Sequence, residues 1–271
     1  MIYIAIITVI LLLITIGLFI GVIVGILDYF SVKLAEKPFY IHFYPVKLDL
    51  PISKHQVLKN HFAFYNRLSP KQQQYFRHRI VKFVRKYKFI SKEDLEITDE
   101  MKIIIAATAI KLTFGMRKYL VDVFDKIIVY PKAYFSTVNE VWHKGEFNPR
   151  MKAIVFSWED FMEGIQNEND NYNLGLHEFT HAIHFHGKKS DDISALLFVR
   201  KFNKIIHFIA QPEMQKRLEK ANYLRSYAYT NQFEFIAVLM EHFFETPDEF
   251  KRDFPELYDK VRKMINFQEK S

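Results

Sequence analysis

The chain has 271 residues, of which 49% are hydrophobic, a formal net charge of +7 and no cysteine. The absence of cysteine excludes a disulfide framework, and it is compatible with either side of a membrane. The net charge is modest for this length, so composition gives no reason to expect direct nucleic-acid binding. The length suffices for a membrane segment followed by one substantial domain or two lobes.

The first feature along the chain is an uncharged apolar stretch, residues 2–27, which ends before Asp28. As a helix it is about 39 Å long, enough to span the hydrocarbon core of a bilayer with some tilt. No basic start or small-residue cleavage site of a signal peptide is evident. We therefore expect a transmembrane anchor at 1–27 that contacts the lipid bilayer through residues 2–27. Glycine is common in such spans, but its spacing of four here also allows a homodimer to pack through Gly17, Gly21 and Gly25.

The charges that flank this stretch predict its orientation. No lysine or arginine precedes it, whereas Lys33, Lys37 and Lys47 follow. Cytoplasmic flanks are enriched in such residues, so we expect a single-pass protein of a bacterial-type inner (plasma) membrane with its C-terminal domain in the cytoplasm. Residues 28–52 are rich in aromatic side chains and are predicted to form a juxtamembrane stalk. The domain proper is then 53–271.

The pattern of the remaining chain predicts an α+β fold that is mainly helical with a small sheet. Two β-branched and aromatic runs, 127–130 and 153–156, predict strands, and a polar loop at 136–150 lies between them. A basic run at 77–88 is interpreted as a solvated helix face, with anionic lipid headgroups as the alternative partner. Helical periodicity marks 54–67, 70–89, a helix that begins after Thr98, 191–209, 212–221, 231–245 and 255–267.

The most informative residues are His177 and His181, with Glu178 next to the first of them. Residues four apart lie on the same face of a helix, so both imidazoles can reach one zinc ion. Glu178 would lie beside the open position of the metal and accept a proton from water there. Asparagines and aspartates precede the motif, as at a helix start, and Gly187 is predicted as its C-cap. The alternative is a surface helix with incidental histidines, which the apolar flanks argue against.

A catalytic zinc ion needs a third protein ligand. The extended motif that supplies a third histidine requires glycine at 184 and histidine at 187, and here His184 and Gly187 exclude it. Downstream, Glu234, Glu241 and Glu245 fall on one stripe of a mostly apolar predicted helix. Each has another reading, since Glu234 can cap its helix, Glu241 can hydrogen-bond a ligand histidine, and Glu245 can be solvated near the helix end. Spacing leaves the third ligand between Glu234 and Glu241, with a slight preference for Glu234.

Several segments together resemble the Mlc titration factor A family of zinc-dependent peptidases, whose metal site is similar to that of anthrax lethal factor. They are the histidine motif, Tyr227, Thr230-Asn231, Glu234-Phe235, the run that begins at Glu241, and upstream 95–107, 127–131 and 154–158. The resemblance extends from about Tyr44 to Phe267 and implies a zincin-like peptidase domain of the gluzincin type at 53–271.

The resemblance also implies roles for individual residues. His177, His181 and Glu234 would bind one zinc ion, Glu178 would be the general base, and Tyr227 would stabilise the oxyanion, a role for which Tyr223 and Tyr229 are rivals. The family usually has aspartate where this chain has His184. A carboxylate there orients a ligand imidazole, so histidine can weaken or retune metal binding, although a core role for His184 is the commoner interpretation.

The function expected from this pattern is that of a membrane-anchored zinc metallopeptidase acting on a peptide or protein substrate, which one of the two predicted strands would bind along a sheet edge. The family's namesake binds a sugar-responsive repressor, so a regulatory protein partner is also implied. The alternative is a membrane-tethered regulatory protein whose zinc site is structural. An intramembrane protease is disfavoured because the motif lies far from the apolar span.

Overall fold

The computed structural model describes residues 1–136 and 140–267. The chain forms two compact units, Met1–Phe43 and Tyr44–Ser271. The first unit contains helix α1, Ile2–Ala35, which is long and apolar enough to cross a membrane. It continues beyond the apolar stretch into the predicted stalk. Asp28, the first charged residue, is buried and accepts a 2.9 Å hydrogen bond from the backbone N–H of Phe39, because the chain after the helix turns back alongside it.

The second unit is mainly helical with a small sheet, as predicted. Its helices are α2 (Ile52–His61), α3 (Ala63–Arg67), α4 (Pro70–Lys86), α5 (Asp99–Thr113), α6 (Trp158–Gln166), α7 (Leu174–Gly187), α8 (Ile193–Ile209), α9 (Pro212–Ala221), α10 (Gln232–Glu245), α11 (Pro247–Asp253) and α12 (Pro255–Met264), with a 3-10 turn at Ser226–Tyr229. Its strands are β1 (Lys88–Ser91), β2 (Lys126–Tyr130), β3 (Tyr134–Ser136), β4 (Val141–His143), β5 (Gly145–Asn148) and β6 (Ala153–Ser157).

Two helix predictions differ from the structure at particular residues. The predicted helix 54–67 is interrupted at Phe62, whose extended backbone separates α2 from α3 while its side chain is buried. The predicted helix 70–89 ends at Lys86, and β1 follows after one residue. At Phe62 the burial of the side chain overrides helical periodicity, and after Lys86 the pairing of β1 with β2 does so.

The four-stranded sheet has the order β1-β2-β6-β5, in which β1, β2 and β6 are parallel and β5 runs antiparallel to β6. Strands β2 and β6 are interior, which explains their unbroken apolar sequences. The expectation that one of these two strands forms the edge near the site is therefore wrong. The edges are β1 and β5, and the edge strand next to the site is β5, inside the predicted loop 136–150. Its sequence is Gly-Glu-Phe-Asn, which carries little β-propensity.

Helix α7 lies at the centre of the second unit, packed against α5, α8, α10 and β5. It begins as predicted: the Asn173 side-chain oxygen accepts a 3.0 Å bond from the backbone N–H of Leu176. The prediction that Gly187 caps its end is wrong, because Gly187 is the last helical residue and Lys188 has right-handed backbone angles. Gly187 instead allows close packing, since a Cβ there would lie 2.4 Å from Val199 Cγ2 on α8.

The basic run 77–88 is only in part a solvated face. Arg79 is completely buried, and its guanidinium donates 3.0 Å bonds to the carbonyls of Thr113 and Phe114 and a 2.9 Å bond to that of Met116. These carbonyls belong to the end of α5 and the residues that follow, where intrahelical donors run out. Arg79 therefore anchors that helix end, and the interpretation as a solvated face is wrong for this residue.

Candidate metal centre

Helices α7 and α10 bring three donor groups together. His177 and His181 lie one turn apart on α7, and their Nε2 atoms lie 2.9 and 3.5 Å from Oε2 of Glu234 on α10. One donor atom from each residue falls within 4.8 Å of the other two. The Glu234 backbone is held at the helix start by Asn231, whose side-chain oxygen accepts a 3.1 Å bond from the Glu234 N–H. Two imidazoles and a carboxylate so arranged are a donor set that fits a transition-metal ion.

The electrostatics of the cluster also favour a cation. Burial lowers the pKa of the His177 imidazole, but hydrogen bonds with Glu234 and Glu241 outweigh burial and raise it to about 9. Burial raises the pKa of Glu234, but the nearby imidazoles of His177 and His181 outweigh burial and lower this pKa well below its ordinary value. The carboxylates of Glu234, Glu241 and Glu178 thus lie around the imidazoles of His177 and His181. Their negative charges stabilise a positive charge in the cluster.

Glu178 is buried beside the ligand cluster and bonds to the edge of the sheet. Its Oε2 accepts a 2.7 Å hydrogen bond from the backbone N–H of Phe147 in β5. Burial raises the pKa of this carboxyl, although the neighbouring imidazoles of His177 and His181 act to lower it. The side chain is thus held at one point, and its proton affinity is higher than that of an exposed glutamate.

Glu241 occupies a different place from Glu234. It is 1% exposed, and its Oε1 lies 2.7 Å from Nδ1 of His177, on the side of the ring away from Glu234. Both carboxylate oxygens also accept hydrogen bonds from Arg225, at 2.5 and 2.9 Å. The structure therefore brings Glu234 to the shared donor cluster and sets Glu241 behind His177.

Tyr227 lies on the 3-10 turn between α9 and α10, with its ring 6.0 Å from that of His177. Burial, reinforced by the charge of Glu234, raises the pKa of its phenol to about 12. A cleft of about 580 Å³ is lined by Tyr227, His177 and Glu178 together with Trp142 and other residues around β4 and α6. The two rival tyrosines do not line it.

Glu245 and His184 are buried and lie outside the donor cluster. Glu245 is buried rather than solvated, its Oε1 accepts a 3.0 Å bond from Asn173, and burial raises its pKa to about 7. His184 is 1% exposed and packs against the rings of Phe202 and Phe233, with centroids 4.4 and 4.8 Å away. Burial lowers the pKa of His184 to about 4, so it is a neutral core residue at physiological pH.

Sequence reasoning missed three contributors to this site. They are the Phe147 backbone N–H, the Arg225 guanidinium and the bond from Asn173 to Glu245. Asn173 was recognisable as a helix cap, but its second partner lies 72 residues away. No spacing rule relates Arg225 to the histidines. The sequence signal that could have indicated it is its position two residues before Tyr227.

Comparison with known proteins places this chain in a family. The sequence profile of the glucose-regulated metallo-peptidase M90 family matches residues 46–265. The chain belongs to this family. Among similar proteins, the uncharacterized protein slr2042 of Synechocystis sp. is 27% identical over 249 residues, which cover 83% of this chain and 90% of that protein. Mlc titration factor A of Klebsiella pneumoniae is 23% identical over 209 residues, and that of Cronobacter sakazakii 26% over 212, each covering 71% of this chain and 78% of the relative.

These matches confirm the resemblance to the Mlc titration factor A family. An M90 metallo-peptidase implies a bound metal ion, and the triad of His177, His181 and Glu234 can bind one. The assignment of these three residues as ligands, and of Glu178 and Tyr227 as catalytic groups, remains a prediction.

Proposed function

We propose that this protein is a membrane-anchored zinc metallopeptidase with a zincin-like domain of the gluzincin type. The observation that carries the proposal is the convergence of His177, His181 and Glu234 beside an accessible cleft, which His177 and the buried Glu178 line. Two histidines and one glutamate are the ligands of many catalytic zinc sites, which keep a further position open. Zinc bound there would supply Lewis acidity, polarising the scissile carbonyl and lowering the pKa of water.

Glu178 acts in this proposal as general base. It accepts a proton from the attacking water and passes it to the leaving amine. Its raised pKa makes it a better proton acceptor than an exposed glutamate, and the bond from the Phe147 N–H restrains its orientation. Only one of its oxygens is engaged by that bond, so the other remains for the proton transfer.

Tyr227 donates a hydrogen bond to the oxyanion that develops on the scissile carbonyl. With a pKa of about 12 the phenol keeps its proton at neutral pH, as a donor must. Tyr227 is half-exposed on a short turn and lines the cleft.

Strand β5 is the surface we assign to the substrate. It pairs with β6 along one side and is the last strand of the described sheet on the other, next to the cleft. An extended peptide can add to such an edge by main-chain hydrogen bonds. Because β5 also contacts Glu178, a bound peptide would lie alongside the general base.

The N-terminal helix supports the remaining part of the proposal. We assign residues 1–27 as the transmembrane anchor, 28–52 as the stalk and 53–271 as the peptidase domain on the cytoplasmic side, following the lysines after the span. Beyond the local backbone of α1, no atom of the described residues lies within 4 Å of where a Cβ would stand at Gly17, Gly21 or Gly25, so this face has room for close packing in a homodimer. The relatives' name, Mlc titration factor A, favours a regulatory protein partner, and a purely regulatory role with a structural metal is the alternative.

Substitution of the general base tests the proposal. Full-length protein in detergent is assayed for bound zinc and for cleavage of a mixed peptide library, alongside Glu178→Gln. We expect Glu178→Gln to retain zinc and to cleave at least about 100-fold more slowly. Glu256→Gln, which changes an exposed carboxylate on α12 that does not line the cleft, is the matched control and is expected to cleave normally. Equal rates for wild type and Glu178→Gln refute the mechanism, and zinc binding without cleavage by wild type supports the regulatory alternative.

A further inference from the structure

A chain of hydrogen bonds connects the candidate metal site, through the buried Glu241, to an arginine that is not one of the three donor residues. Glu241 is almost completely buried and takes part in two interactions, with Nδ1 of His177 at 2.7 Å and with both terminal nitrogens of Arg225. A buried carboxylate is costly unless it is paired and hydrogen-bonded. Arg225 supplies that pairing through a two-pronged contact, which fixes the plane of the carboxylate as well as its charge.

The same guanidinium also holds the segment that leads into α7. It donates a 2.6 Å bond to the carbonyl of Asn171 and lies 4.5 Å from the centre of the Tyr172 ring. Asn171 has a left-handed backbone with φ 57°, and its side chain accepts a 2.7 Å bond from Thr246 after α10. Arg225 therefore joins three parts of the site: the approach to α7, Glu241 on α10, and the turn that carries Tyr227 two residues later.

We propose that Arg225 is a positioning residue of the metal centre, which acts on His177 through Glu241. A carboxylate that accepts a hydrogen bond from Nδ1–H selects the imidazole tautomer whose Nε2 is free to bind a metal. Glu241 is restrained to that role by the rigid fork of Arg225. The inference rests on the proposed metal site, but it does not require that the protein cleave peptides.

A lysine cannot replace Arg225 in this arrangement. The guanidinium reaches two carboxylate oxygens and one backbone carbonyl at once, with a fixed planar geometry. A lysine ammonium would keep the charge but lose the two-pronged contact. Charge and geometry can therefore be separated experimentally.

Zinc affinity of the full-length protein in detergent, measured by competition with a chromophoric chelator, tests the inference. We expect Arg225→Met to weaken zinc binding by about 10-fold to 100-fold and Arg225→Lys to fall between it and wild type. Glu241→Gln is expected to weaken binding by a similar factor. Because the arginine acts through the glutamate, adding Arg225→Met to Glu241→Gln should change affinity by less than about threefold. Arg252→Met, which removes an exposed arginine, is the matched control and should bind zinc normally.

Two results overturn the inference: zinc affinity of Arg225→Met within about twofold of wild type, or effects of Arg225→Met and Glu241→Gln that multiply fully in the double variant. A merely structural role would lower the melting temperature of the zinc-free protein without this coupling. If Arg225→Met does not fold, Arg225→Lys alone and combined with Glu241→Gln decides by the same criteria. If the zinc affinities of wild type and the variants follow this ranking but wild type cleaves no peptide, the peptidase function is refuted and the inference stands.

Discussion

Replacement of His184 by leucine tests the electrostatics of the core behind the candidate metal centre. His184 is 1% exposed, and neither of its ring nitrogens has a hydrogen-bond partner among the described residues. Burial lowers its pKa from 6.5 to about 4 in the folded protein. Between these values the unfolded chain binds a proton that the folded chain does not. The contribution of the neutral His184 to the unfolding free energy is therefore fully present above pH 6.5 and is lost as pH falls towards 4.

The magnitude follows from this difference. One pKa unit corresponds to about 1.4 kcal/mol, so His184 alone removes about 2 kcal/mol of unfolding free energy between about pH 7.5 and about pH 5. His184→Leu should abolish this part of the acid sensitivity. At the higher pH it should be at least as stable as wild type, because an unpartnered imidazole among Phe202 and Phe233 is replaced by an apolar side chain.

Urea unfolding of zinc-free, full-length protein in detergent, followed by tryptophan fluorescence at the two pH values, measures this effect. The variant keeps every other titratable side chain, so its difference from wild type reports the contribution of His184. His207→Leu, at an exposed position of α8, is the control and should retain the pH dependence of wild type. If His184→Leu loses as much stability on acidification as wild type, the reasoning about the buried imidazole is refuted.

Three further predictions concern the site itself. Glu234→Ala should abolish zinc retention on a desalting column, whereas Glu241→Ala should weaken it by about 10-fold to 100-fold; the reverse order would exchange their roles. Tyr227→Phe should lower kcat by about 100-fold with zinc content unchanged, and an unaltered kcat would remove Tyr227 from the mechanism. Asn173→Ala should lower the unfolding free energy by about 1–2 kcal/mol in chemical denaturation, because it removes the cap of α7 and a partner of Glu245. A loss below about 0.5 kcal/mol would show that neither bond matters.

Features that depend on neighbouring residues were predictable from the sequence. The spacing of His177 and His181, the cap at Asn173 and the apolar span of α1 each follow from residues close together in the chain. Strands β2 and β6 were recognisable because interior parallel strands are continuously apolar. In all these cases the physical cause lies within one helix or one strand.

Features that depend on packing were not predictable in the same way. Spacing left Glu234 and Glu241 as alternatives, because both lie on one stripe of α10. Strand β5 appeared as a loop, since its order comes from pairing with β6 rather than from its own propensity. Gly187 was predicted to be a helix cap, but in the structure its lack of a side chain allows Val199 to pack closely against α7.

The sequence by itself determined that two histidines share a helical face, that a glutamate accompanies them, and that a long apolar helix precedes the domain. The tertiary structure decided which distant carboxylate meets the imidazoles, which strand contacts Glu178, and that Arg225 supports Glu241. The reason is one of range. Helical periodicity and capping act over about four residues, whereas the bond between His177 and Glu234 joins positions 57 residues apart and exists only after α7 and α10 have packed together.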